Sequence, residues 1–281
     1  MIPKYSFQDQ NGSLQTRPVS GLFSCFRYVS DGRSNATHYH ASYSAVLVTT
    51  SRLDAVCCGY GLSVEAPLIT LCMPFMPHSS YAPEGTEYER YVLYAQPELM
   101  ERYAPRVLDW ERLRDANLLW AKPSPKALER LKLLMRQFEL TTDNESAALL
   151  LPVLMQQLLS EIDAGRGEIV RMPYPFINSV LRELAEKMDA PPTIDEVCRR
   201  AGVGRSKLQR DFKAVTGMPW HRYLTMIRMK RAAELLQSGE SILHTALACG
   251  YSTESHFIMA YRKYYRETPG EFSARRGKQE R

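Results

Sequence analysis

Four side chains near the C-terminal end, Ser206, Gln209, Arg210 and Lys213, fall at i, i+3, i+4 and i+7, so a helix places them on one face. Their chemistry suits the edge of a base pair. A guanidinium holds guanine O6 and N7 in two bonds, and a carboxamide does the same for adenine N6 and N7. Arg205, Lys207 and Lys213 are point charges for phosphate. A solvated helix face carries the same residue types, so the stripe acquires meaning only from the elements that would hold it. A related stripe, Ser255, Ile258, Met259 and Arg262, follows about fifty residues later. Its Ile and Met cannot hydrogen-bond a base and can only touch a thymine methyl. Beside them, Glu254 can accept from cytosine N4, Ser255 can bond either base type, and Arg262 and Lys263 can reach phosphate. The first stripe is therefore expected to carry most base reading and the second to anchor.

The elements that would position these stripes repeat at a period near 48 residues. Thr193–Gly217 and Ser241–Arg266 each begin with apolar positions at i, i+3, i+4 and i+7: Ile194, Val197, Cys198 and Ala201, then Ile242, Thr245, Ala246 and Cys249. A glycine follows each run, Gly202 and Gly250, as at a left-handed helix end. A second short helix follows each glycine, with buried stripes expected at Leu208, Phe212 and Val215 and at Phe257, Tyr261 and Tyr264. Helix, tight turn, helix is the helix-turn-helix pattern. Between the copies Trp220–Gln237 reads as one helix with a seam at Met226, Met229, Ala233 and Leu236. Eighteen residues span about 27 Å, close to the ~34 Å between successive major grooves on one face of DNA.

Charge is divided along the chain. Residues 191–281 hold 17 Lys and Arg against 9 Asp and Glu, a net of +8, whereas residues 1–190 hold 19 against 22, a net of −3. Only the C-terminal part is suited to a polyanion. No apolar run is long enough to cross a bilayer and the N-terminus lacks the signal-peptide pattern, so a cytoplasmic location with no membrane partner is expected. The six cysteines form no paired C-x-x-C, so reduced, mostly buried thiols are expected. No general acid/base pair or nucleophile constellation emerges, which argues against an enzyme. Short β-branched runs at 22–29, 43–50, 53–58, 68–72 and 88–94 read as strands. Helices are read at Ser124–Leu140 and Asn144–Ile162, and Ala164–Pro175 as an interdomain linker. The chain thus divides into residues 1–163, a linker at 164–175, and 176–281.

Residues 176–273 resemble the AraC/XylS family of bacterial transcription regulators. The resemblance lies in Ala201-Gly202, the L-x-R-x-F-K-x-x-x-G run from Leu208 to Gly217, His221–Leu224, and Arg228–Ala232. It continues through A-x-x-x-G-Y-S at Ala246–Ser252, Ser255–Phe257, Tyr261–Lys263, and T-P-G-E-F at Thr268–Phe272. It implies an all-α domain with two helix-turn-helix units, double-stranded DNA as partner, contact with RNA polymerase, and activation more than repression. Arg266 stands where the family has glycine after the second reading helix. The resemblance also implies a preceding α+β domain, a cupin-like β-barrel with flanking helices that sense a small organic effector and form a homodimer. His38, His40, Arg52, His78 and Tyr81 are the candidates for its effector pocket. Metal-dependent cupins carry a glutamate shortly after H-x-H and residues 41–45 offer none, so neither metal nor other cofactor is expected. The alternative is a structural barrel, with control by an anti-activator protein or by abundance alone.

Overall fold

The computed structural model describes residues 22–279 apart from 31–32, 41, 98, 101–109, 114 and 172–173. Two units follow along the chain, one reaching to Asn178 and one running from Ser179. Among the described residues no helix is long and apolar enough to cross a membrane.

The first unit is built on ten strands: β1 (Phe23–Ser30), β2 (Arg33–His38), β3 (Tyr43–Val48), β4 (Arg52–Cys57), β5 (Tyr60–Glu65), β6 (Leu68–Cys72), β7 (His78–Ala82), β8 (Tyr88–Ala95), β9 (Leu118–Ala121) and β10 (Gly167–Val170). Among the described residues these ten strands form two antiparallel sheets and not a closed barrel. One has the order β1-β8-β3-β6-β9-β10, the other β2-β7-β4-β5. Val48, Leu68 and Tyr88 of the larger sheet and Leu53, Leu62 and Ala82 of the smaller form one apolar cluster, so the sheets face each other. Helix α1 (Trp110–Leu113) precedes β9. Helices α2 (Pro125–Leu140) and α3 (Asn144–Asp163) cover the opposite face of the larger sheet, where Leu131, Met135, Phe138, Leu151 and Leu158 meet Phe23, Tyr91 and Leu93. This explains β8: Tyr91, Leu93 and Ala95 pack on the helices, while Tyr88, Arg90, Val92 and Tyr94 point to the other sheet, so nearly the whole strand is buried.

The ends of these helices are set locally. Ser124 caps α2 on the Ala127 amide, with Pro125 in the first turn, and Asp143 caps α3 on the Ser146 amide. Buried Glu161, on α3, accepts from the Ser124 amide at 2.8 Å and from Arg166 Nε at 2.6 Å. The Arg166 bond, joined by the Ser124 amide against the opposing effect of burial, holds the Glu161 carboxyl below the usual carboxylate range. Arg166 thus fixes the turn from α3 into β10. The stretch expected to be a linker therefore contains a strand: Gly167–Val170 pairs antiparallel with Leu118–Ala121. Glycine is required there, because a Cβ on Gly167 would lie 2.0 Å from the Trp120 carbonyl oxygen.

The second unit holds helices α4 (Pro175–Glu186), α5 (Ile194–Ala201), α6 (Arg205–Thr216), α7 (Trp220–Gln237), α8 (Ile242–Ala248), α9 (Glu254–Tyr265) and α10 (Pro269–Gln279), the first turn of α4 lying before the boundary. Apolar residues surround α7 more than they form one seam, because its two halves serve different neighbours. Near its start Tyr223 meets Phe212 of α6, ring centroids 5.4 Å apart. Near its end Met229, Ala232 and Leu236 join Ala246 of α8, Cys249 just beyond it, and Phe257 and Tyr261 of α9. The inward alanine is Ala232, with Ala233 half-buried. In α9 Tyr264, expected in the core, is 45% exposed. Tyr265 turns inward in its place and donates its hydroxyl to the Met229 carbonyl at 3.2 Å.

Candidate functional site

Helix α6 owes its position to α5 and to two left-handed turns. Thr193 and Glu196 form a reciprocal capping box at the start of α5, and Gly202 ends it at φ 63°. Gly217 ends α6 at φ 71°. Arg200 of α5 pairs with Glu183 of α4 at 2.5 Å and fixes α5 from behind. Leu208, Phe212 and Val215 are buried as expected, and Ser206, Gln209, Arg210 and Lys213 are exposed along the opposite face. The structure thus brings the four expected reading side chains onto one accessible surface.

Beneath this face lies a carboxylate that the sequence reading missed. Asp211 is buried on α6; it accepts from Lys207 and lies 3.7 Å from Arg210 Nε. Arg205 reaches back to Asp195 of α5 at 2.6 Å. Two of the expected phosphate contacts, Arg205 and Lys207, are therefore already paired with acids, and Arg210 leaves α6 over a fixed negative charge. Among the described residues Lys213 is the α6 cation without a carboxylate in ion-pair range. The i, i+4 spacing of Lys207 and Asp211 was the available signal.

The second copy has the same skeleton and a different surface. Ser241 caps α8 and Thr253 caps α9. Gly250 turns the chain between them at φ 72°, and a Cβ there would meet the Met188 carbonyl at 2.5 Å and the Arg228 guanidinium at 2.6 Å. That guanidinium lies over the Tyr251 ring, 5.5 Å from its centroid. The two motifs Arg228–Ala232 and Ala246–Ser252 thus meet at one wedge. Arg266 takes the left-handed conformation of the glycine it replaces, at φ 65°, and its amide still caps Arg262. On the outer face Ser255, Met259, Arg262 and Lys263 are exposed, and Glu254 and Ile258 are half-buried.

In the first unit the two sheets enclose a cavity of about 70 Å³, room for a few waters or a small organic molecule. His38, His40 and His78 line it. Arg52 and Tyr81 do not: they lie outside the smaller sheet along a shallow groove, where Arg52 is bound to Asp54 at 2.9 Å and to Ser63. Period 2 along β4 is the reason, since Leu53 and Ala55 face inward and Arg52 and Asp54 outward. Reasoning from residue type missed Arg90. It is 8% exposed, lines the cavity with Val46, Leu53, Tyr88 and Val92, and lies under the rings of Tyr28 and Tyr88. Its Nε has no hydrogen-bond partner, and no carboxylate pairs with it among the described residues. Its signal was an arginine at an inward position of a strand otherwise apolar on that face. The cysteines are unbridged, and all but the half-buried Cys198 are buried. Cys58 is pushed well above an ordinary thiol by its bond with Cys57 and by burial.

Comparison with known proteins bears on both units. Residues 197–275 match the family model of a helix-turn-helix domain. The HTH-type transcriptional regulator MtrA of Neisseria gonorrhoeae is 29% identical over 97 residues, 34% of this chain and 32% of that protein. The HTH-type transcriptional activator RhaR of Mannheimia succiniciproducens is 31% identical over 100 residues, 35% of this chain and 36% of its own. The matched stretch spans about a third of the length of these relatives. A structure of ToxT from Vibrio cholerae covers 90% of this chain and 98% of its own at a TM-score of 0.56 and 13% identity, a likeness of fold.

Proposed function

The chain carries an AraC-type helix-turn-helix domain, and from that premise we infer that it is a sequence-specific DNA-binding transcription regulator, controlled by a small anionic effector in the cavity of its first unit. One observation carries the first part. Two helix-turn-helix units share α7, and α6 presents Ser206, Gln209, Arg210 and Lys213 with nothing apolar among them. The expected arrangement puts α6 in one major groove, with Ser206, Gln209 and Arg210 on base edges and Lys213 on phosphate. Helix α9 sits in the next groove, where Arg262 and Lys263 anchor and Glu254 and Ser255 add limited reading. Arg205 and Lys207 contribute charge that Asp195 and Asp211 partly offset. Footprinting of the full chain on DNA selected from random sequence tests this. The expected result is two protected segments one helical turn apart, with sequence conserved mainly in one. Protection without sequence preference overturns it.

The effector reading is supported by Arg90. A buried cation without a carboxylate is costly and calls for an anion, and the apolar walls suit a small organic acid. A ToxT structure is described as unsaturated fatty acid bound, which favours an acid in this cavity also. Arg90→Met is expected to abolish the response of DNA binding to organic acids while leaving binding without effector intact. Exposed Leu133 and Leu140 on α2, with Leu149 and Val153 on α3, support a homodimer through these helices. Exposed Leu243 and Leu247 on α8 offer an apolar contact to RNA polymerase, as an activator requires. The chain is expected to act in the cytoplasm, where its DNA is.

A further inference from the structure

We propose that His38, His40 and His78 form a binding site for one divalent transition-metal ion. One ring nitrogen from each can be chosen so that all three lie within 4.8 Å of one another. The ring centroids are 4.9 Å apart for His38 and His40, 4.5 Å for His38 and His78, and 5.2 Å for His40 and His78. Imidazole is a favoured ligand of zinc, cobalt, nickel and ferrous iron. A tetrahedral ion with bonds of about 2.1 Å holds its nitrogens about 3.4 Å apart, so the rings need to close by roughly an ångström. His38 and His78 are half-buried at a cavity wall, and rotation about their side-chain bonds supplies that movement.

The backbone places the three rings for this purpose. His38 ends β2 and His78 begins β7, and the two are cross-strand partners. His40 follows two residues after His38, so an extended chain turns it to the same side. It is 5% exposed, and its carbonyl accepts the Phe75 amide at 2.7 Å. The ring of His78 is oriented by a second contact, its Nδ1 lying 2.9 Å from the Met76 carbonyl. A carbonyl only accepts, so Nδ1 carries the proton and the neutral ring has its lone pair on Nε2. This is the arrangement by which ligating histidines are held for a metal.

The missing carboxylate after His40 changes the charge of the site without emptying it of donors. Three neutral imidazoles leave a bound ion its full double charge and at least one open coordination position. Such an ion takes up water or an anion. Cys72 Sγ lies 3.6 Å from His78 Nδ1, the nitrogen that faces the Met76 carbonyl, and 3.5 Å from Cys57 Sγ. The expected donor set is thus nitrogen only. The proposal stands on the histidine cluster and does not depend on the DNA or effector reading.

The test uses the full chain, stripped with a chelator and titrated with Co²⁺ alone, then with Zn²⁺ in competition. One equivalent per chain is expected, with a cobalt spectrum of low coordination number and X-ray absorption showing nitrogen and oxygen neighbours without sulfur. His38→Gln and His78→Gln are each expected to weaken binding at least as much as loss of an outer-shell partner, about 10–100-fold, while His244→Gln leaves it unchanged. No stoichiometric binding, sulfur in the first shell, or equal affinity in the His38 and His78 variants overturns the proposal. If a variant loses its fold by circular dichroism, the absorption data on the unaltered chain decide. DNA binding plays no part in these readouts, so a failed metal site and a failed regulator assignment give separate results.

Discussion

At the scale of single residues, the proposed reading of DNA turns most on Arg210. Arg210 leaves α6 at the exposed face, with Asp211 buried at its base. Replacing it with alanine is expected to cost about 1–3 kcal/mol on a selected site and to relax preference at one base pair. Competition binding against random DNA checks this: an equal loss on both makes Arg210 a phosphate contact. Glu161 is the corresponding structural residue of the first unit. Arg166 and the Ser124 amide keep its carboxyl below the ordinary value. A carboxylate with a lowered folded pKa stabilises the fold above its unfolded pKa of about 4.3, and that contribution is lost as pH falls through the folded value. Thermal melts of the wild type and Glu161→Gln should therefore differ most near neutrality and converge in acid. Residue type and helical spacing made Arg210 a candidate in the sequence, and the structure leaves it exposed. Glu161, Asp211 and Arg90 were not, because each matters through what long-range folding places around it.

At the scale of elements, the helices were more legible than the strands. The 3.6-residue period marked α5 through α9, Gly202 and Gly250 marked the turns after α5 and α8, and α7 spans the anticipated Trp220–Gln237. The errors fall where a helix has two neighbours. Ala232 and Tyr265 face inward instead of Ala233 and Tyr264 because α7 and α9 also meet α10. Strands β2, β5, β7, β9 and β10 went unread. Four-residue β9 and β10 have too few alternations to signal themselves, and β10 lies in a glycine-containing stretch that imitates a linker. Arg266 gives this scale its prediction. A left-handed arginine costs about 1–2 kcal/mol, so Arg266→Gly should raise the melting temperature of the chain. A lower one would mean that the arginine side chain makes compensating contacts.

At the scale of the whole molecule, the proposed homodimer would rest on the outer surfaces of α2 and α3, where Leu133, Leu140, Leu149 and Val153 are exposed. Leu149 is 71% exposed and Val153 lies one turn further on. The double substitution Leu149→Glu, Val153→Glu is expected to yield a monomer by sedimentation at micromolar concentration, with circular dichroism unchanged. A variant that remains dimeric places the interface elsewhere. The proposal of association comes from the helices' resemblance to dimerisation helices and from their exposed apolar residues. The division of the strands between two sheets was not readable in the sequence, since it depends on pairings between segments distant in the chain, such as Ile69 with Ala121, Gly167 with Ala121 and Phe23 with Ala95.

The strand Gly167–Val170 also decides where this chain can be dissected. It is the outer member of the six-stranded sheet, and β9 behind it carries Leu118 and Leu119, both buried. A fragment ending at residue 163 strips that cover and leaves an apolar strand with unpaired amides and carbonyls, a template for intermolecular pairing. Such a sensor fragment is expected to precipitate, whereas one ending after Asn178 keeps its border. An engineered exchange of the second unit would meet the same constraint, because a junction upstream of Val170 would carry a piece of one protein's sheet into another.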